Sequence, residues 1–194
     1  MNNKVYAVRC ADYDQIDGAV EKLLSMMGGI ESYLLPKNRV ALKANLLVAA
    51  KPEKCATTHP ALIAAVGRLA KAAGAEPFVV DSPTGAYAHS EGTLKRLYRA
   101  TGMEAVADRV GIGLNFDTAC ESVSYPDGDL IKTFDILSPL LGADVIFNLC
   151  KLKTHTFMAM TGAVKNMFGA IPGRAKPGFH AKLQEPTLFA QMLL

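Results

Sequence analysis

The chain has 194 residues, of which 50% are hydrophobic and 20% are charged. This size and composition exclude a disordered chain and suit a globular domain with a sizeable core. The net charge of +3 is too small for a general nucleic-acid binder, so no nucleic-acid partner is expected. The start of the chain has no apolar signal core, and no window approaches about 18 uninterrupted apolar residues. These features predict a cytoplasmic protein without a membrane partner.

The cysteines are far apart in the sequence and form no Cys-x-x-Cys pair. Local zinc ribbons and iron–sulfur clusters held by neighbouring cysteines are therefore excluded for this segment. Free cysteine behaves as a small hydrophobic residue, so we expect reduced, buried, structural thiols. The cysteines are Cys10, Cys55, Cys120 and Cys150.

The first half of the chain alternates β-type and helical segments. The composition and spacing of apolar residues predict a strand at 5–8, a helix at 12–24, a strand at 39–48, a helix at 60–73 and a strand at 77–81. A β–α–β order with a compact crossover helix indicates a parallel sheet.

The second half is less regular. Residues 92–110 predict helices broken near Gly102, and 112–138 predict a small irregular β insertion containing a hairpin. The most apolar segment, 143–149, is expected to be a central strand covered on both faces. Further predictions are a helix at 161–171, a mobile Pro/Gly/basic loop at 172–182 and the first turns of a helix from Pro186.

Together these segments predict an α/β fold with a mostly parallel sheet covered by helices on both faces, in three layers. No internal repeat or linker interrupts the chain, so residues 1–194 are interpreted as a single domain. The last helix stops on two leucines without a cap. We therefore expect the domain to be the N-terminal part of a longer protein.

Lys43 and Asn45 lie two residues apart in the strand at 39–48, so their side chains point to the same face near its C-terminal end. A lysine in an apolar strand is costly to bury without a negative partner. The pair is therefore a candidate for binding a ligand. The alternatives are a carboxylate partner within the protein or a lysine that extends its ammonium to solvent from an edge strand.

Thr58 and His59 precede Pro60 at the start of the helix at 60–73. Such residues cap helices, and a helix N-terminus after a parallel strand also offers N–H groups to an anion. Both are therefore ligand-binding candidates. Asp81 follows the adjoining strand; it is expected to cap the next turn, with a pairing to Lys43 or a metal as alternatives.

The segment 151–182 contains six Lys or Arg residues and no Asp or Glu. Lys151 and Lys153 share a face where the apolar strand ends, and Lys165 and Asn166 lie in the helix that follows. This charge needs an external counter-ion unless the residues form a solvated basic face. We predict that these four residues bind an anionic ligand, with His155 as the catalytic acid or base, since histidine titrates near neutral pH.

Other common sites are not supported. His59, His155 and His180 with Asp81 could approach one another, but no local metal-ligand spacing supports a metal site, and none is predicted. Glycine-rich dinucleotide and nucleotide motifs and the Gly-x-Ser-x-Gly elbow are absent.

Four motifs in order resemble the family called domain of unknown function 362. They are Lys43-Ala44-Asn45-Leu46, Thr57-Thr58-His59-Pro60, Lys151-Leu152-Lys153-Thr154-His155 and Thr161 to Gly169. The likeness runs from about Arg39 to Gln191. Members of this family are often described as iron–sulfur proteins that carry a ferredoxin-like module rich in Cys-x-x-Cys.

The resemblance implies that this domain serves an iron–sulfur-linked redox protein whose cluster ligands lie outside this chain, in a ferredoxin-like module in cis. The cofactor of the domain itself is unknown. Two alternatives remain: a non-redox module that binds a small anion, and an isomerase- or transferase-type enzyme that uses the same Lys, His and Asn residues.

Overall fold

The structure is a computed structural model that describes residues 4–194. Short 3-10 turns lie between several of its elements, among them Met167–Ala170 and Gly173–Ala175. The helices are α1 Ile16–Met26, α2 Pro60–Ala72, α3 Glu91–Ala100, α4 Met103–Val110, α5 Ser138–Leu141, α6 Ala163–Asn166, α7 Lys176–Lys182 and α8 Pro186–Leu193. The strands are β1 Arg39–Lys43, β2 Glu76–Val80, β3 Gly113–Leu114, β4 Cys120–Ser124, β5 Thr133–Leu137, β6 Val145–Asn148, β7 Lys153–His155 and β8 Ala159–Thr161.

The main sheet is parallel and has the strand order β3-β2-β1-β6. Lys43 pairs in register with Val80 on one side and Asn148 on the other. The C-terminal ends of the three longest strands therefore meet at one edge of the sheet, as an open α/β fold requires. The antiparallel hairpins β4–β5 and β7–β8 form two separate small sheets.

Alternation along β1 separates the layers. Val40 and Leu42 are fully buried in a core shared with α1, α2 and α3, whereas Ala41 faces a second cluster formed with α5 and the strand β5. Lys43, on the face of Ala41, is also fully buried. The three-layer α/β prediction is confirmed, and the β insertion near 112–138 is present as the β4–β5 hairpin, whereas β3 joins the main sheet.

The prediction that 143–149 forms the central strand is wrong. In the described part of the chain, β6 pairs with β1 alone and lies at the edge of the sheet. Ile146 is 39% exposed, although Val145 and Phe147 pack against the main core. The apolar composition of this segment is explained by the contact of one face with that core. Composition does not determine the position of a strand within a sheet.

Two further segments differ from prediction. Residues 5–8 form no strand, and Val5 is 92% exposed. The expected loop at 172–182 is helical, with the 3-10 turn Gly173–Ala175 followed by α7. Its Lys176 is buried because the ammonium donates to two backbone carbonyl groups. Proline at the second position of α7 is compatible with a helix start, which the sequence pattern does not distinguish from a loop.

The cysteines are free, as expected, but none is buried: Cys55 is exposed, and Cys10, Cys120 and Cys150 are partly exposed. No helix within residues 4–194 is both long and apolar enough to span a membrane. The prediction about the start of the chain rests partly on residues 1–3, which lie outside the described residues.

Candidate functional site

A cavity of about 730 Å³ opens at the C-terminal edge of the main sheet. The loops after β1 and β2, the β7–β8 hairpin, α6 and the start of α7 form its walls. Besides four threonines, the polar and charged side chains that line it are Asn45, Asp81, Ser82, Lys151, Lys153, His155, Lys165, Asn166, Lys176 and His180. Six of the nine residues predicted as site residues are in this set.

A buried ion pair forms the floor of the cavity. Lys43 Nζ lies 2.7 Å from Asp81 Oδ1, and the two side chains are 0% and 3% exposed. Lys43 Nζ also donates to the backbone oxygens of Ala44 and Asn166, and Asp81 Oδ2 accepts from the Leu46 N–H at 2.6 Å. The expected cap by Asp81 is wrong; the alternative, pairing with Lys43, is correct. These bonds satisfy the charges of both groups.

Gly169 packs directly on this ion pair, and no side chain fits there. A Cβ at this position would collide with Asp81 Oδ1 and lie 2.5 Å from Lys43 Nζ. We expect Gly169→Ala to reduce the free energy of unfolding by about 2–3 kcal/mol, the cost of overpacking. Urea denaturation measures the change. The control is Gly178→Ala, where a Cβ meets nothing within 4 Å; equal stability of the two variants would contradict this explanation.

Lys153 and Asn45 meet on one wall. Lys153 Nζ donates to Asn45 Oδ1 at 2.7 Å and to the Ala56 carbonyl oxygen. Burial lowers the pKa of Lys153, and the charge of Lys151 lowers it further, while Asp81 opposes both effects. Lys151 lies further out and donates to the Tyr13 hydroxyl at 3.2 Å. Lys151 and Lys153 therefore have different hydrogen-bond partners, although the sequence placed them on one face.

His155 is fixed by the turn that follows it. Its Nδ1 accepts from the N–H groups of Phe157 and Met158 at 3.1 and 3.2 Å. Burial, followed by the charges of Lys165 and Lys153, lowers its pKa. The neutral ring therefore carries its proton on Nε2, and His155 presents an N–H donor. Its role in catalysis stays a prediction.

The ammonium groups of Lys165 and Lys176 are shielded from solvent by different surroundings. Lys165 Nζ lies 4.4 Å from the ring centroid of Phe168 and 4.6 Å from that of Phe189, and burial lowers its pKa to about 8. Lys176 Nζ donates to the carbonyl oxygens of Ser82 and Pro83, each at 2.8 Å, and burial likewise lowers its pKa to about 8. Of these two lysines, Lys176 donates to backbone carbonyl groups of the described residues, whereas Lys165 does not.

Apart from Asp81 Oδ1, which lies in the ion pair, two buried polar atoms of the cavity lining have no hydrogen-bond partner among residues 4–194. They are Ser82 Oγ and Asn166 Oδ1, in residues that are 2% and 5% exposed. The amide nitrogen of Asn166 donates to Asn148 Oδ1 at 2.7 Å and to the Ala44 carbonyl at 3.2 Å, which determines the orientation of its amide. Buried polar atoms without partners are uncommon and indicate hydrogen bonds that a ligand or water completes.

Three predicted residues do not line the cavity. Lys43 lies beneath it in the ion pair. The Thr58 hydroxyl accepts from the Asn45 N–H and donates to the Leu149 carbonyl, so it joins β1 to the segment after β6. His59 caps α2 through Nδ1 and stacks on Tyr13, with ring centroids 3.5 Å apart. The capping that the sequence allowed for His59 is therefore what the structure contains.

Ser82, Lys176 and His180 also line the cavity, although they were not among the predicted site residues. His180 stacks on Phe189, with centroids 4.5 Å apart. Burial, followed by the charges of Lys165 and His155, lowers its pKa. The absence of acidic residues from 151–182 was the signal for Lys176 and His180. For Ser82, only its position directly after β2 was informative.

Among residues 4–194, no group of three or more His, Cys, Asp or Glu side chains is placed to hold a metal ion. His59, His155 and His180 are accounted for by a helix cap, a turn and an aromatic stack respectively. The arrangement around the cavity is therefore one of ammonium, amide, hydroxyl and imidazole groups, which bind and orient anionic or carbonyl groups.

Comparisons with known proteins place this domain in a family. The chain is 31% identical over 202 residues to the "Thylakoid-associated protein sll1697" of Synechocystis sp.; the match covers 100% of the chain and 59% of that relative. No solved structure gives a significant match. The profile of the "Domain of unknown function (DUF362)" matches residues 40–194, which include every element from α2 to α8. The chain belongs to the DUF362 family, as the four motifs indicated.

Proposed function

We propose that the cavity binds a small anionic ligand. The supporting observation is an imbalance of charge. Lys151, Lys153, Lys165 and Lys176 line the cavity, whereas Asp81 is the only acidic residue among the described residues that do so. The charge of Asp81 is already balanced by Lys43. An anion supplies the missing negative charge and binds by charge-assisted hydrogen bonds.

The contacts of the lysines divide them by role. Lys153 is held by Asn45 and Ala56, and Lys176 by Ser82 and Pro83, so both contribute positive potential from fixed positions. Lys165 is free to contact the ligand directly. His155 adds a neutral N–H donor, and Ser82 Oγ can donate a further hydrogen bond. This set recognises a phosphate, sulfate or carboxylate group.

The test is calorimetric titration of the full chain with sulfate, whose charge is constant from pH 7 to 9.5. Because burial lowers the pKa of Lys165 to about 8, this ammonium loses its proton across that interval. A lost proton removes attraction for the anion, so affinity falls as the pH rises. We expect the Kd to increase at least about fivefold between pH 7 and 9.5.

His155 and His180 also surround Lys165, but their lowered pKa values keep both rings neutral throughout that interval. Lys176 titrates with Lys165 and acts in the same direction. The absence of sulfate binding at pH 7 would contradict the proposal. A Kd that does not change up to pH 9.5 would remove Lys165 and Lys176 from the binding site.

We further propose, for the whole protein, the iron–sulfur-linked redox role that the family resemblance implies. The chain spans 59% of the length of its relative, and the proposed cluster ligands lie outside this chain. Iron and sulfide analysis of the full-length protein, together with its visible absorption spectrum, tests this role. A colourless, iron-free protein purified without oxygen would favour a non-redox anion-binding module or an isomerase- or transferase-type enzyme.

A further inference from the structure

Lys165 differs from the other lysines at the cavity in its hydrogen bonding. Lys43, Lys153 and Lys176 each donate to backbone oxygens, and Lys151 donates to a tyrosine hydroxyl. Within residues 4–194, Lys165 Nζ has no hydrogen-bond acceptor and no carboxylate within salt-bridge distance. Its amino group is therefore the one in the described lining that can react without first breaking a bond to the protein.

The surroundings of Lys165 also favour an uncharged amine. Its Nζ lies over the rings of Phe168 and Phe189, which are 6% and 0% exposed. The ring faces attract an ammonium and so offset part of this effect, but they replace water with apolar surface. Lysines desolvated in this way act as nucleophiles, because a fraction of the amine is unprotonated near neutral pH.

We propose that Lys165 Nζ forms an imine with a ligand that carries an aldehyde or ketone group next to its anionic group. The inference rests on the proposed anion site, which would hold the anionic group while the carbonyl carbon meets the amine. The Nζ lone pair attacks that carbon, a carbon–nitrogen double bond forms, and the carbonyl oxygen leaves as water with the two amine protons. The step needs no oxidant, reductant or other reactant.

The polar groups around Lys165 suit such a ligand. His155 offers an N–H donor, and Asn166 Oδ1 offers an acceptor without a partner. The hydroxyl of the carbinolamine that precedes the imine can donate to such an acceptor. The other charged groups that line the cavity around Lys165 are Lys151, Lys153, Lys176 and Asp81, and the two histidines His155 and His180 are neutral. The one carboxylate in this described lining, that of Asp81, is paired with Lys43, so it does not hold the amine of Lys165 protonated.

The experiment traps the imine by reduction. The full chain is incubated with pyruvate and sodium borohydride at pH 8, and modified lysines are located by peptide mass spectrometry. We expect Lys165 to be alkylated at least about tenfold more than Lys182, an exposed lysine of α7. The modification of Lys165 should disappear in Lys165→Arg, persist in Lys182→Arg and decrease when sulfate is added.

The outcomes separate this inference from the proposed function. Lys165→Arg cannot form an imine, so its loss of trapping assigns the reacting amine, while sulfate titration of the unsubstituted chain reports the anion site. Sulfate binding without preferential labelling of Lys165 would overturn the imine alone, whereas the absence of sulfate binding would overturn the anion site. At pyruvate concentrations that saturate the site, trapping should also increase from pH 7 to 9, the direction opposite to sulfate affinity. Labelling spread evenly over the lysines, or concentrated on Lys176, would contradict the inference.

Discussion

Replacing Asp81 with asparagine should lower the free energy of unfolding by about 3–5 kcal/mol, the usual cost of removing one member of a buried ion pair. Lys43 is fully buried 2.7 Å from Asp81, so the change leaves its ammonium without a counter-ion. Asparagine can still accept from the Leu46 N–H, which Asp81 bonds at 2.6 Å. The expected loss of stability is therefore due to the missing charge of Asp81 and not to its hydrogen bond with the backbone.

Urea denaturation of the variant measures this loss, and two controls make it specific. Asp17→Asn breaks the exposed ion pair with Arg68 and should cost less than about 1 kcal/mol. Combining Asp81→Asn with Lys43→Met removes the unpaired charge and should restore most of the stability. An Asp81→Asn protein as stable as the wild type would show that the ion pair does not hold the floor of the cavity.

Replacing Lys165 with methionine should weaken sulfate binding at pH 7 by about tenfold to a hundredfold, the value of one charge-assisted hydrogen bond. Lys165 is the lysine whose ammonium is free to contact the ligand, and burial lowers its pKa to only about 8, so it is charged at pH 7. Methionine retains an unbranched chain that packs on Phe168 and Phe189. The fold should therefore persist.

Calorimetry measures the affinity, and circular dichroism checks the fold. The matched control is Lys182→Met, which removes the same charge from the exposed end of α7 and should change the Kd by less than about twofold. Similar losses in the two variants would mean that sulfate responds to the overall charge of the protein. Unchanged binding in Lys165→Met would place the anion elsewhere in the cavity.

The sequence predicted the three-layer α/β fold because β1, α2 and β2 carry strong local patterns that agree with the packing. Periodicity, however, does not order the strands of a sheet. The segment around Phe147 is apolar on the side that meets the core, yet it is an edge strand with Ile146 39% exposed. Strand order depends on contacts between distant segments, which a local window does not contain.

For the candidate site too, local patterns predicted some features, whereas others depend on contacts between distant segments. The strand alternation that grouped Lys43 with Asn45 correctly placed both near the C-terminal edge of the sheet. It did not reveal that Asp81 neutralises Lys43, which leaves Lys43 as a structural residue. The basic composition of 151–182 pointed to Lys165, but its freedom from hydrogen-bond partners depends on where Phe168 and Phe189 pack. The spacing of residues along the sequence does not predict which distant side chains pack around Lys165.

The ion pair beneath the cavity also bears on how the protein acquires its native state. Its ammonium bonds the carbonyl of Asn166, 123 positions further along the chain, and its carboxylate binds the backbone after β1. Closing so long a loop carries a large entropic cost that only many simultaneous contacts repay. We therefore expect that a nascent chain lacking α6 has no finished floor for the proposed ligand, and that any anion binding develops only when folding is complete.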